Sequence, residues 1–385
     1  MTRVTGLSGN EMYCLHAKGF HAGELVIGNS VHSIGFAGCI GASFKTMGGG
    51  EVEQVTSLVH EGRQSALDRL MKEARNQGAT GITSIDSELI WRGGNVEFLS
   101  IGNCVHYDGK HSQEPGFSSS ANGQEMFCQL DAGFLPVKFV FGNVAYSIGI
   151  GGGLMGGFKS LARGEVKEFS DVFNETRHRA LWRITEDAEL AGANAVIGIK
   201  TNIIPLSGMQ EMVMVGTASK HPMVSRLARK QPITSDLTNE ELWNVIKMGY
   251  MPIQLVLGVS VYSLGFVGSI RSAFKALSRG EIPELSSLIY EARENAITRV
   301  RADADLCGAD SVVGVKTYVY QLSNGLIEFM AIGTAVKKMD GLTTQSEQLP
   351  PQAVISDKDT FTNRADQTLS TNLSVSMNAS ATPKS

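Results

Sequence analysis

KSLARGEVKEFSDVFNETRHRALWRITEDAELAGAN, Lys159 to Asn194, decides the fold, because the chain writes it three times. The other versions are KTMGGGEVEQVTSLVHEGRQSALDRLMKEARNQGAT from Lys45 and KALSRGEIPELSSLIYEARENAITRVRADADLCGAD from Lys275. The offsets are 114 and 116 residues, and they hold without a gap from Glu11/Glu125/Glu241 to Ile85/Ile199/Val315. The register resumes, one residue longer in the third copy, at Gly102/Gly216/Gly333. A fixed period of this size marks a tandem of like units.

Each copy carries a long helix. In the third it starts near Glu281, with Pro283 in the first turn, where proline is tolerated. It stops at Gly308, as the others stop at Gly78 and Gly192, the signature of a glycine C-terminal cap. About 25 residues rising ~1.5 Å each span roughly 37 Å, the width of a ~100-residue domain. One module can hardly cover such a rod, so neighbours are expected to help bury it. Around the helix the pattern predicts a short strand (125–130 in the second copy), a second strand (137–142), a short helix over the glycine-bearing segment, and a closing hairpin (194–203 with 210–219). The fold class is α+β: three tandem modules, each a small, mostly antiparallel sheet packed on one short and one long helix.

The modules fall at 9–106, 124–220 and 240–338. Segments 107–123 and 221–239, rich in Ser, Gly or Pro, read as linkers, and 339–385 reads as a disordered tail poor in apolar residues.

Composition narrows the function classes. The 385 residues are 42% hydrophobic and 19% charged with a net charge of -4, which argues against a nucleic-acid binder needing a basic surface. No apolar run approaches a membrane span, and the N-terminus lacks an apolar signal core, so a cytoplasmic location is expected. Five cysteines without paired spacing fit a reducing compartment.

Gly151-x-Gly153-x-x-Gly156 spells a dinucleotide-binding pattern, but the repeats act as its controls. The first copy has Ala37, Cys39 and Ala42 there, and the third Val267, Ser269 and Ser272. A small-residue helix face packed closely on its neighbours explains the stretch better than a phosphate cradle. No cofactor is implied.

Polar residues identical in all copies are the candidate functional groups: Ser33/Ser147/Ser263, Lys45/Lys159/Lys275, Glu51/Glu165/Glu281, Glu61/Glu175/Glu291, Arg63/Arg177/Arg293 and Arg69/Arg183/Arg299. None is His, Cys or Asp, so the serines lack a repeated base and are expected to cap the short helix. Histidines fall at unmatched positions, Cys14 and Cys128 match each other but the third copy has Asn244, and no metal-ligand spacing occurs. On a helical wheel Arg293 and Arg299 flank the stripe of Leu285, Ile289, Ala292, Ala296 and Val300, while Glu291 lies opposite. Glu61, Arg63, Arg69, Glu175, Arg177, Arg183, Glu291, Arg293 and Arg299 are therefore candidates for an ion pair between one module's helix and the next, or for an Arg-lined anion pocket at the joint.

GE-x-L-x-x-L-I-Y-EAR-x-x-A (Gly280 to Ala296), GADSVVGVKT (308–317) and GTAV (333–336) resemble the YbjQ-like family. The second copy matches through GANAVIGIKT (192–201) and GTAS (216–219); the first is the most divergent, with EGR for EAR, GATGITSIDS (78–87) and GNCV (102–105). The resemblance covers roughly 11–106, 125–220 and 241–338. It implies an α+β module whose copies associate as rings, typically pentamers, and a heavy-metal-binding label that the scattered Cys and His do not themselves support. The expected function is a non-catalytic oligomeric assembly or scaffold protein that self-associates between modules and between chains, with a small anion or peptide held between modules. The alternative is soft-metal binding, and an enzyme comes third.

Overall fold

The computed structural model describes residues 2–33, 50–92, 95–147, 164–206, 209–227, 229–263, 283–322 and 326–355. The dinucleotide-like glycine segment, its counterparts in the other copies, and Lys45, Lys159, Lys275 and Glu281 lie outside them.

Each module opens with a short helix: α1 (Gly9–Ala17), α3 (Gly123–Asp131) and α5 (Asn239–Lys247). This corrects the strand expected at 125–130. A capping box drives each helix: Ser8 with Glu11, Asn122 with Glu125, and Thr238 with Glu241 exchange side-chain and backbone hydrogen bonds across the first turn. Long strands follow, β1 (Phe20–Ser33), β5 (Leu135–Ser147) and β10 (Tyr250–Ser263). Ser33, Ser147 and Ser263 are their last residues, and the helix they were expected to cap lies outside the described residues. Two-residue strands come next, β2 (Gly50–Glu51) and β6 (Gly164–Glu165), before the long helices α2 (Glu53–Asn76), α4 (Lys167–Leu190) and α6 (Pro283–Leu306). Gly78, Gly192 and Gly308 stop those helices at φ 65°, 68° and 69°, a left-handed turn that glycine makes without strain. Hairpins close the modules: β3 (Gly81–Arg92) with β4 (Asn95–Tyr107), β7 (Ala195–Leu206) with β8 (Met209–Lys220), and β11 (Ser311–Gln321) with β12 (Leu326–Lys338).

With the two-residue β9 (Ile233–Thr234) included, the sheets run β1-β4-β3, β2-β5-β8-β7-β9 and β6-β10-β12-β11. Pairing is antiparallel except between β7 and β9, so the α+β architecture stands. The first module thus lends β2 to the second sheet, and the second lends β6 to the third.

Each long helix lies almost against its own sheet. A Cβ on Gly28, Gly142 or Gly258 would sit 2.0, 2.3 or 2.2 Å from the backbone oxygen of Ala66, Ala180 or Ala296. Only glycine opposite a small residue permits that approach. In the first two modules the helix's other side meets the next module. Val26, Leu67 and Leu70 share a core cluster with Phe139, Phe141, Val213 and Val215. Phe169, Phe173 and Leu181 share one with Leu255, Leu257, Val261 and Met330.

The expected linkers are built into the body. Ser118 bridges to Ile82 of β3, and its hydroxyl accepts the Phe139 N–H of β5 at 2.9 Å. Thr234 repeats the arrangement, pairing with Val196 of β7 while its Oγ1 accepts the Leu255 N–H of β10 at 2.8 Å. The expected tail is likewise structured at its start. Residues 339–354 run on to α7 (Pro351–Val354), which buries Ala353. Ser346 and Gln345 reach Asp131, the buried end of α3, which also receives Lys18 Nζ, just past α1, at 2.6 Å and Trp243 Nε1 from α5 at 2.8 Å. Residues beyond 355 lie outside the described ones.

Candidate functional site

The repeated charges converge on the joints between modules. At the first joint Arg63 of α2 is fully buried and grips Glu211 of β8 with both ends of its guanidinium: Nε donates to Oε1 at 3.0 Å and Nη2 to Oε2 at 2.7 Å. Nη1 turns back to the Ser87 carbonyl of its own module at 3.0 Å. At the second joint Arg177 of α4 does the same to Glu328 of β12, with Nη2 at 2.8 and 2.9 Å from the two carboxylate oxygens and 2.6 Å from the Tyr146 hydroxyl. The guanidinium lies 4.1 Å over the Tyr146 ring, where it gains cation–π attraction in a site dry enough to strengthen it. Burial pushes the Tyr146 phenol above its usual range, so it stays neutral and can both accept from Arg177 and donate to Gln210. Both carboxylates are fully buried. Such a pair is held by bidentate geometry, because neither charge could stay dry without the other.

A second contact runs from the donated strand to the next helix. Glu51 of β2 takes Arg183 Nη2 of α4 at 2.7 Å and Arg179 Nη1 at 2.8 Å. Burial alone would raise the Glu51 carboxyl, but these two guanidiniums hold it below its ordinary value. Glu165 of β6 takes Arg299 Nη1 of α6 at 2.8 Å, with the same direction of shift against the same opposing burial.

The candidate residues therefore part company. Arg63 and Arg177 are buried between modules, and Arg183 and Arg299 lie at the same joints. Arg69 is exposed and donates to the Asn29 carbonyl within its own module. Arg293 is exposed. Glu61, Glu175 and Glu291 are exposed on the outer face, with Glu175 paired to Arg179 one turn away; they are not the partners of Arg63 and Arg177. The partners Glu211 and Glu328, with Glu97 as the first-copy counterpart, are the residues that sequence reasoning missed. Their spacing is 114 and then 117, so the extra residue in the third hairpin takes them out of the fixed register.

The scattered histidines and cysteines form no metal-holding group among the described residues: no three of His, Cys, Asp or Glu there could hold an ion. Cys14 and Cys128 share an apolar cluster between α1 and α3. Burial raises the Cys14 thiol to about 11 and Cys104 to about 12, with nearby acidic side chains adding to it, so neither offers a ready thiolate. No described helix is long and apolar enough to cross a membrane.

A pocket of about 280 Å³ opens between β7 and the third module, lined by Glu125, Lys200, Thr201, Asp236 and Lys316 among others. Lys200 stands 3.3 Å from Glu125 and Lys316 3.4 Å from Asp236, so the opposite charges largely cancel. The buried Thr201 hydroxyl has no hydrogen-bond partner there.

Comparison with known proteins agrees with the threefold reading. A family model described as "Putative heavy-metal-binding" matches residues 18–105, 136–221 and 249–339. An encapsulin nanocompartment protein of Mycobacterium tuberculosis is 33% identical over 208 residues, 51% of this chain and 76% of its own length. UPF0145 proteins of Pseudothermotoga lettingae and Vibrio campbellii are each 42% identical, over 83 and 82 residues, covering 22% and 21% of this chain and 78% and 79% of theirs. With the model matching all three sheet-and-helix units, the chain belongs to the YbjQ-like family and carries three of its modules in tandem.

Proposed function

We propose that this chain is a non-catalytic assembly scaffold that associates with further copies of itself. The observation that carries the reading is the joint built twice: a fully buried arginine on one module's helix clasping a fully buried glutamate on the next module's sheet. Six of the repeated polar residues, Arg63, Arg177, Arg183, Arg299, Glu51 and Glu165, make contacts that hold modules together. The resemblance to a protein named for a nanocompartment points the same way. The test is the mass of the full chain in solution, by light scattering across a wide concentration range. An oligomer is expected; a monomer at every concentration up to hundreds of micromolar sinks the reading.

A finer version places a small anion between modules. Arg63 and Arg177 are locked into fully buried pairs, whereas Lys200 and Lys316 are partly exposed and meet Glu125 and Asp236 only at 3.3 and 3.4 Å, so the place that supports it is their pocket, with the unpartnered Thr201 hydroxyl. Titration with inorganic phosphate by calorimetry tests it. Heat lost in Lys316→Met supports the pocket, and no heat from the parent chain ends it.

A further inference from the structure

The pocket between β7 and the third module holds acceptors inside and cations outside. The side chains of Asp236 and Glu125 are 5% and 14% exposed, while those of Lys316 and Lys200 are 41% and 56% exposed. Each carboxylate commits one oxygen to the fold: Asp236 Oδ1 accepts the Thr334 hydroxyl at 2.6 Å, and Glu125 Oε2 accepts the Asn122 capping N–H of α3 at 2.9 Å. The other oxygens, Asp236 Oδ2 and Glu125 Oε1, are held loosely, by lysine ammoniums at 3.4 and 3.3 Å. Those distances exceed the length of a charge-assisted hydrogen bond. Lys316 Nζ makes its short bond, 2.9 Å, to the Asp236 carbonyl instead. Burial pushes the Asp236 carboxyl above its ordinary range, and Thr334 and Lys316 only partly offset it.

A third acceptor stands beside them. Asn239, 2% exposed, has a carboxamide Oδ1 without a partner among the described residues. It faces Gly198, which lines the pocket: the three nearest atoms to a Cβ built there all belong to Asn239, with Oδ1 at 3.4 Å. Buried acceptors in want of a donor call for an N–H group. The rest of the wall is apolar, from Ile199, Leu237, Ile332 and the ring of Tyr318, which stacks on Tyr320 at 6.3 Å. None of this polar set is needed to join modules, because the first joint has Asp86, Ser120 and Gly123 at the places of Lys200, Asp236 and Asn239.

We infer that this pocket binds a free α-amino acid with an apolar side chain. The ligand's ammonium donates to Asp236 Oδ2 and Glu125 Oε1, its carboxylate accepts from Lys200 and Lys316, and its side chain lies on Ile199, Tyr318 and Ile332. Each loose ion pair of the empty pocket is thereby exchanged for a contact with the ligand charge of opposite sign, and the balance of charge is unchanged. A plain anion leaves the inner carboxylates facing it, and a plain amine leaves the lysines without a new partner. At about 280 Å³ the volume suits a ligand at the small end of those that pockets enclose.

This inference rests on the anion reading of the pocket, since it makes the anion one end of a zwitterion, but it fails separately. The test is calorimetric titration of the full chain with L-leucine, with isocaproate, which lacks the amine, and with isoamylamine, which lacks the carboxylate. Leucine should bind, and each analogue should bind roughly 10-fold more weakly or worse, as expected when a hydrogen-bonded charge is lost. Asp236→Asn, which keeps an acceptor for Thr334, should weaken leucine by a similar factor while leaving inorganic phosphate bound no more weakly than by the parent. Thermal melting checks that the variant folds. Should it not fold, Glu125→Gln, which keeps the capping acceptor, takes its place. Phosphate heat without leucine heat, or isocaproate bound as tightly as leucine, overturns the amino-acid assignment and leaves the anion reading standing. Leucine bound equally by the parent and the carboxamide variant overturns the assignment as well. Heat from neither phosphate nor leucine defeats both readings.

Discussion

Arg177 and Arg293 occupy the same place on the same helix, 116 residues apart. The first is buried against Glu328 with an aromatic ring beneath it, and the second stands in solvent. Both helices pack on their own sheets at the same glycines, although Tyr146 accepts from Arg177 while its counterpart Tyr262 accepts from Asn295. The difference is whether a further module follows. The arginine at this place thus describes a relation between modules, and among the described residues its last copy, Arg293, stays exposed.

The largest expected effect breaks that comparison at its centre. Arg177→Ala leaves Glu328 charged and dry, a loss of about 3–5 kcal/mol. Arg293→Ala in the dissociated chain should stay within about 0.5 kcal/mol, as exposed sites do. Urea unfolding of the full chain at low concentration measures both. Similar losses at the two sites would mean that the second joint is not what buries the charge.

A middle-sized effect sharpens the contrast by testing a feature that does not depend on neighbours. Gly28→Ala, Gly142→Ala and Gly258→Ala each push a methyl into the backbone of the module's own helix. Each should cost about 1–3 kcal/mol, the usual toll of overpacking. The three losses should be alike by thermal melting, where the arginine series differs sharply between joint and end.

The long helices and closing hairpins were legible because their signals are local: apolar periodicity, glycine stops at Gly78, Gly192 and Gly308, and alternation along β8. The first short helices were misread as strands because six residues such as EMFCQL fit either period. The deciding signal was the capping box just upstream, Asn122-x-x-Glu125 and its two counterparts. Segments 107–123 and 221–239 looked like linkers by composition. Their serines instead lend hydroxyls to Thr217 and Thr334, a use that only the fold reveals. Half of the joint was readable as Arg63 and Arg177. The glutamates were not, because one inserted residue in the third hairpin hides the repeat, and because their partners lie 148 and 151 residues away along the chain.

Acid should expose a tie that belongs to one module only. Asp131 ends α3 at a place where the other copies have Ala17 and Lys247, and it gathers Lys18, Trp243 and Ser346. Burial would raise its carboxyl, but those donors outweigh burial and hold it below the ordinary value. A depressed carboxylate contributes stability above its unfolded pKa of about 3.9 and loses it as pH falls through the folded one. Stability measured from pH 6 downward should therefore fall less steeply in Asp131→Asn than in the parent chain. Parallel curves would remove Asp131 from the acid response.

The smallest effect distinguishes the two internal joints from each other. His178 on α4 donates through Nε2 to Asp303 of α6 at 2.8 Å across the second joint, while the first joint has Gln64 in its place. Burial would lower this imidazole, but Asp303 and the Asn174 carbonyl together raise it above its ordinary value. A raised base contributes stability that is fully present below the unfolded pKa of about 6.5 and disappears as pH rises through the folded one. Both side chains are partly exposed, so the effect belongs with ordinary surface pairs, about 0.2–1 kcal/mol. His178→Gln copies the first joint's residue into the second and should abolish the loss between neutral and mildly alkaline pH. Proton titration of the His178 ring by NMR gives an independent reading, with a midpoint above that of an unperturbed histidine. A midpoint at or below the ordinary value would show that burial wins over Asp303, and the second joint would then be no more pH-sensitive than the first.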